Sequence, residues 1–73
     1  MAARLSHRKL LGRAIRQHRK KAKMTQERLG EVADLNPKYI GEVERAEKTI
    51  SVDALMRIST ALKIPIAHLF RGL

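Results

Sequence analysis

The sequence predicts an all-α fold, a compact five-helix orthogonal bundle. Apolar residues recur every three or four positions along most of the chain, which is the spacing of amphipathic helices, and no alternating strand pattern competes with it. Capping residues and prolines divide this pattern into short segments. With 73 residues and no cysteine, the chain has one modest core and no disulfide to reinforce it.

Residues 1–7 are predicted to form a basic N-terminal tail, and the helical domain is predicted to span residues 8–73. The first helix is expected over about residues 8–21. Its inward stripe follows helical spacing and consists of Leu11, Ala14, Ile15, His18 and Ala22. The other faces of this helix carry arginines and lysines.

Thr25 is predicted to cap a second helix over residues 26–33, because threonine is a good N-cap. Leu29, Val32 and Ala33 are expected to point inward. The turn that follows is short, and Asp34 is one of the few non-glycine residue types that tolerate a left-handed backbone.

A third helix is predicted over residues 37–45, because Asn36 is a good N-cap and proline is well tolerated at the first helical position. Its inward set is small: Ile40, Val43 and Glu44. The remaining positions, Gly41 among them, are expected to face outward. Such a helix packs on the core along one edge only, and most of its surface is expected to be exposed to solvent.

Ser51 is predicted to cap a fourth helix over residues 52–62, and a short last helix is expected over about residues 66–70, near Pro65. Four large apolar residues fall within the last eight positions, more than a short terminal helix readily buries. They either belong to the monomer core or form the interface of a homodimer, and we expect the interface. The four residues are Ile66, Leu69, Phe70 and Leu73.

The charge is unevenly distributed. Sixteen lysines and arginines against seven acids give a net charge of +9, and residues 1–23 contain no acid at all. A positive field at one end attracts a polyanion, either nucleic acid or an anionic membrane surface. The alternative is a solvated helix face that serves solubility. One tyrosine and one phenylalanine are too few for a site that stacks the bases of a single strand.

Residues 25–45 have the spacing of a helix-turn-helix, in which the second helix enters the DNA major groove. Gly30 supplies the small residue needed where the two helices cross. Residues 11–70 resemble the lambda repressor/Cro-type (XRE) helix-turn-helix family, most specifically in "MTQERLGEVA", "YIGEVER" and "LMRISTALKIPIAHLF". The stretch "YIGEVERAEKTIS" is further similar to the small controller proteins of restriction–modification systems.

The resemblance implies roles for individual residues. Those placed to contact bases are Asn36, Pro37, Lys38 and Glu42. Those placed to contact the DNA backbone are Thr25, Gln26, Tyr39, Arg45, Lys48 and Thr49. Arg19 and Glu44 match a structural ion pair. Ala46 departs from the pattern, because a helix-ending glycine is usual at its position.

Two of these roles have open alternatives. Lys38 reads guanine or simply touches a phosphate. Glu42 accepts from cytosine N4, or it only pairs with Lys38 or Arg45, which lie four residues before it and three after.

The resemblance implies a sequence-specific, double-stranded DNA-binding transcriptional regulator that binds an inverted-repeat operator as a homodimer. The alternative is an antitoxin-type or other protein-interaction module that also binds DNA. No nucleophile–base pairing or phosphate-cradling loop suggests an enzyme, and the three histidines have no metal-site spacing. We expect no cofactor, metal, small-molecule ligand or membrane partner, and a cytoplasmic location.

Overall fold

The computed structural model describes residues 6–71, which form four α-helices and one terminal 3-10 helix. The helices are α1 (His7–Lys21), α2 (Gln26–Ala33), α3 (Pro37–Glu44) and α4 (Val52–Leu62), followed by the 3-10 helix Ile66–Phe70. Residues 6–71 contain no strand, so the all-helical prediction is confirmed. None of these helices is long and apolar enough to cross a membrane.

The prediction of five α-helices is wrong in its last element. The N–H of His68 donates to the carbonyl of Pro65 at 2.9 Å, three residues back, which is the bond of a 3-10 turn. Five residues are too few for apolar spacing to distinguish this geometry from an α-helix. The predicted end of the third helix also shifts by one residue, because Arg45 is the C-cap and not part of α3.

Each α-helix begins at a polar residue whose side-chain oxygen accepts a backbone N–H of the first turn. Thr25, Asn36 and Ser51 do so at 2.8–3.0 Å, as the sequence predicted. Ser6 is a fourth cap that was not predicted, at 3.3 Å from the Lys9 nitrogen. It begins α1 at His7, inside the predicted tail, whose residues 1–5 lie outside the described part of the chain.

A left-handed residue follows the end of each α-helix by one or two positions. Asp34 has φ 58°, as expected for the turn between α2 and α3. Ala46 has φ 62° after α3, so an alanine adopts the conformation for which glycine is usual. Lys23 and Lys63, with φ 60° and 57°, follow α1 and α4 in the same way.

The core lies where the five elements meet, and each contributes at least one fully buried side chain: Ile15, Leu29, Ile40, Ile58 and Leu69. Leu69 is 1% exposed within a single chain, so its side chain belongs to the monomer core, and its predicted place at the dimer contact stays a prediction. Phe70 is 40% exposed and Ile66 is half-buried. Leu73 lies outside the described residues.

Three residues differ from the predictions in their exposure to solvent. Val32 is 43% exposed at the edge of α2, although it was expected to point inward. Ala22 is exposed because α1 ends before it. Gly41 is buried, although it lies on the side of α3 away from the core, because the side chains of Gln26 and Arg45 cover it.

Two glycines, one in α2 and one in α1, allow these helices to approach α3 closely. A Cβ on Gly30 would lie 2.6 Å from the carbonyl oxygen of Leu35 and 3.3 Å from the nitrogen of Pro37, the first residue of α3, which confirms the need for a small residue in α2. A Cβ on Gly12 would lie 2.5 Å from the carbonyl oxygen of Val43, so α1 presses directly on the last turn of α3. The two contacts fix α3 at both ends.

Candidate nucleic-acid interface

The first turn of α3 carries the predicted base-contacting residues. Asn36 is exposed, and its side-chain oxygen accepts the N–H of Lys38 at 2.8 Å, which leaves its amide NH₂ free to donate. Lys38 is exposed and forms no ion pair with any of residues 6–71. Pro37 is half-buried. This turn therefore presents hydrogen-bond donors outward.

Glu42 pairs with Lys48, a residue expected only as a contact to the DNA backbone. Its Oε1 lies 3.5 Å from Nζ of Lys48, and its side chain is only 18% exposed. The predicted alternatives of Lys38 and Arg45 are therefore not its partners in this structure. The loop after α3 folds back along the helix, which sequence spacing within one helix does not reveal.

Arg45 forms a two-bond ion pair with Glu47. Its Nε lies 2.9 Å from Oε2 of Glu47, and its Nη2 lies 3.2 Å from Oε1. The hydrogen bond from Arg45 lowers the pKa of the Glu47 carboxyl, and the same bond raises the pKa of the guanidinium. Both side chains remain more than half exposed, so the pair is accessible to a ligand.

Tyr39 connects α3 with the start of α4. Its hydroxyl oxygen accepts the backbone N–H of Ser51 at 3.2 Å, and the residue is half-buried. The hydroxyl hydrogen remains available to donate outward. Thr49, in the loop between these helices, is exposed. Thr25 is exposed too, and its oxygen caps α2.

Arg19, Glu44 and Gln26 form a buried network that joins three helices. Nε and Nη2 of Arg19 donate to the two carboxylate oxygens of Glu44 at 2.7 and 3.0 Å. Nε2 of Gln26 donates to Oε1 of Glu44 at 3.1 Å. Nη1 of Arg19 donates to the carbonyl of Met24 at 2.9 Å. The hydrogen bond to Glu44 raises the pKa of Arg19.

A polar depression forms beside this network, and it brings four of the predicted residues together with one that was missed. Its lining is Arg16, Arg19, Gln26, Glu44 and Arg45. Arg16 is exposed and was read only as part of the basic face of α1. Its position three residues before Arg19 was the available signal, because residues at that spacing share a helix face.

A different, apolar groove contains one of the predicted dimer residues. Phe70 lines it together with side chains of α1, α4 and the loop after α3, among them Leu11, Ile50, Val52 and Leu55. Lys48 and Thr49 line the same groove. Among residues 6–71 no group of three or more His, Cys, Asp or Glu side chains is placed to hold a metal ion.

Known proteins match both the sequence and this fold. Residues 15–69 match the family HTH_3, described as helix-turn-helix. Control protein C.BamHI of Bacillus amyloliquefaciens is 40% identical over 56 residues, which cover 75% of this chain and 69% of that protein.

Two solved structures extend the match. The restriction–modification controller protein C.AhdI from Aeromonas hydrophila has a TM-score of 0.84 at 30% identity, over 86% of this chain and 96% of that one. The DNA-binding domain of the P22 c2 repressor has a TM-score of 0.80 at 30% identity, over 99% and 88%. These names are those of controllers and repressors rather than of enzymes. The chain therefore belongs to the XRE-type helix-turn-helix family, HTH_3, and is a DNA-binding transcriptional regulator.

Proposed function

We propose that the protein binds an inverted-repeat operator as a homodimer, with α3 of each copy in the major groove. The proposal rests on the way in which the rest of the protein holds α3. Its buried edge and both of its ends are fixed by the core and by close helix contacts, while its first turn presents Asn36 and Lys38 to solvent. A helix held in this way can dock into the major groove while it keeps its contacts with the rest of the protein.

The base contacts are proposed for the first turn of α3 and for Glu42. Asn36 donates through its free amide, Lys38 donates to guanine O6 or N7 or to a phosphate, and Pro37 makes apolar contact. Glu42 accepts from cytosine N4 if Lys48 turns from it toward a phosphate. If Lys48 stays, Glu42 serves only to hold the loop.

Phosphate contacts are proposed around this helix. The donors are side chains and exposed helix starts that lie before and after α3: Thr25, Gln26, Tyr39, Arg45, Lys48 and Thr49, with Arg16 added from the structure. Gln26 still has its amide oxygen and one N–H beyond its bond to Glu44, so it can brace the network and meet a phosphate.

The homodimer is proposed to form through the apolar groove beside Phe70. Phe70 and Val52 are exposed large apolar residues, and half-buried Ile66 lies on the same 3-10 helix as Phe70. Leu69 supports this surface from inside the core, and Leu73 stays a predicted contributor. Two-fold symmetry would place the two α3 helices about 34–36 Å apart, one turn of DNA. By likeness to C.BamHI and C.AhdI, we further propose that the regulated genes belong to a restriction–modification system.

The test is a selection of bound duplexes from a random DNA pool at about 150 mM salt, with the number of bound chains measured by analytical ultracentrifugation. We expect an inverted-repeat consensus bound by two chains. Sequence-indifferent binding that is lost steeply as salt rises would contradict the proposal, because it would mean that the basic face of α1 acts alone.

Two variants divide base contacts from phosphate contacts. Lys38→Ala should lose about 1–3 kcal/mol at one base position and relax the preference there, if Lys38 reads a base. Arg45→Ala should weaken binding to all sequences and reduce the salt slope by about 0.9 per bound copy, because a phosphate contact is lost. Lys63→Ala, at the left-handed end of α4, is the matched control for loss of one exposed positive charge.

A further inference from the structure

We propose that Glu47 sets the affinity of the protein for DNA by holding the guanidinium of Arg45 away from the phosphate that it would bind. This inference rests on the proposed function, in which Arg45 contacts the DNA backbone. A carboxylate and a phosphate are both recognised by the same two-pronged guanidinium geometry. Glu47 therefore competes with the DNA for Arg45.

The pair occupies one edge of the Arg45 guanidinium. Its Nε and Nη2 both donate to the Glu47 carboxylate, at 2.9 and 3.2 Å. Its remaining terminal nitrogen, Nη1, is directed over α3, where it would lie 3.0 Å from a Cβ on Gly41. A phosphate that approaches Arg45 therefore meets a guanidinium whose side edge is occupied, with a negative charge beside it.

The backbone after α3 places Glu47 in this position. The N–H of Ala46 donates to the carbonyl of Val43 at 3.0 Å, and the N–H of Glu47 donates to the carbonyl of Glu42 at 2.8 Å. These two bonds, with the left-handed Ala46 between Arg45 and Glu47, form the Schellman ending of the helix. The main chain of Glu47 is thus held by the end of α3.

The other acids of this segment are engaged differently. Glu44 is buried and committed to Arg19 and Gln26, and Glu42 is mostly buried with a single contact to Lys48 at 3.5 Å. A lysine has three donors on a flexible stem, so Lys48 can bind a phosphate without leaving Glu42. Glu47 alone among these three acids is more than half exposed.

The variant that tests the proposal is Glu47→Gln, which keeps the shape of the side chain and removes its charge. In water, the attraction within an exposed ion pair at this separation is equivalent to about a fivefold change in an equilibrium constant, so releasing Arg45 from Glu47 corresponds to about a fivefold gain in affinity per bound copy. The control is Asp53→Asn. Asp53 is an exposed carboxylate that pairs at 2.9 Å with Arg57, a residue outside the proposed interface, and its change alters the net charge equally.

Dissociation constants for the selected operator would be measured by fluorescence anisotropy for the wild type, E47Q, D53N, R45A and the double variant R45A/E47Q. We expect E47Q to bind about fivefold more tightly per copy, D53N to change affinity by less than about twofold, and the gain of E47Q to disappear beside R45A. Thermal melting of each variant would verify that all are folded.

Three results would overturn the inference: no gain for E47Q, an equal gain for D53N, or a gain that persists in R45A/E47Q. In each of these cases the wild type still binds its operator, so the proposed function would survive. If the wild type selects no operator at all, the proposed function and this inference fail together.

Discussion

Replacing Glu44 with alanine should destabilise the fold severely, because Glu44 is the common acceptor of a buried network. Its side chain is 3% exposed and accepts two hydrogen bonds from Arg19 and one from Gln26. The alanine variant would leave the guanidinium of Arg19, whose side chain is 10% exposed, with only the carbonyl of Met24 as a partner. An uncompensated charge would remain buried between α1 and α3.

The expected loss is about 3–5 kcal/mol, the usual result of removing one partner of a buried ion pair. A chain of this size has a free energy of unfolding of about 4–11 kcal/mol in total. For a domain of 60–100 residues, each kcal/mol shifts the melting temperature by about 4–8 °C, so 3 kcal/mol corresponds to about 12–24 °C. Thermal and urea unfolding followed by circular dichroism would measure it.

Two further variants make the measurement decisive. Glu31→Ala removes the exposed partner of Arg28 on α2 and should change stability by less than about 1 kcal/mol. Glu44→Gln retains an acceptor oxygen and should lie between wild type and Glu44→Ala. A fall of only one or two degrees in Glu44→Ala would refute the reasoning, because the network would then contribute no more than a surface pair.

For two other perturbations, the structure determines the direction of the change in stability. Gly12→Ala should lower the free energy of unfolding in urea by about 1–3 kcal/mol, because its Cβ would meet the carbonyl oxygen of Val43 at 2.5 Å. Alanine is the better helix former, so a variant more stable than the wild type would contradict this contact. Burial, then His68 and the nearby Lys21 and Arg71, lower the pKa of His18 from 6.5. The unfolded chain then binds more protons near this pH, so the contribution of His18 to stability is present above about pH 6.5 and is lost as the pH falls through the pKa of the folded state. Between pH 8 and pH 5, the free energy of unfolding should therefore fall less in His18→Gln than in the wild type.

Local signals in the sequence were sufficient for most of the fold. Caps such as Thr25 and Asn36 mark helix starts through bonds that span three residues or fewer, so they can be read without tertiary structure. Ser6 carried the same signal, but the charge of the neighbouring residues led to a prediction of a tail. The Gly30 contact was predictable because a helix-turn-helix requires its two helices to cross closely.

The unpredicted features depend on tertiary contacts or on the path of the loop after α3. Gly12 matters only because α1 meets the end of α3, and Gly41 is buried only because two long side chains lie over it. The pairing of Glu42 with Lys48, and of Arg45 with Glu47, depends on how the loop turns after Ala46. Helical spacing predicts neighbours within one helix and says nothing about a loop that folds back along it.

The attachment of α3 at both ends has a consequence for the thermodynamics of binding. Its start is packed against α2 at Gly30, and its end is joined to α1 and α2 through Glu44. Little ordering of this helix is then left to occur on the DNA. Association is expected to resemble the docking of a rigid body, with a heat-capacity change set by the area buried and without the additional term of coupled folding. The affinity of the complex would then be determined by charge and fit, since the conformational entropy of α3 is already lost when the chain folds.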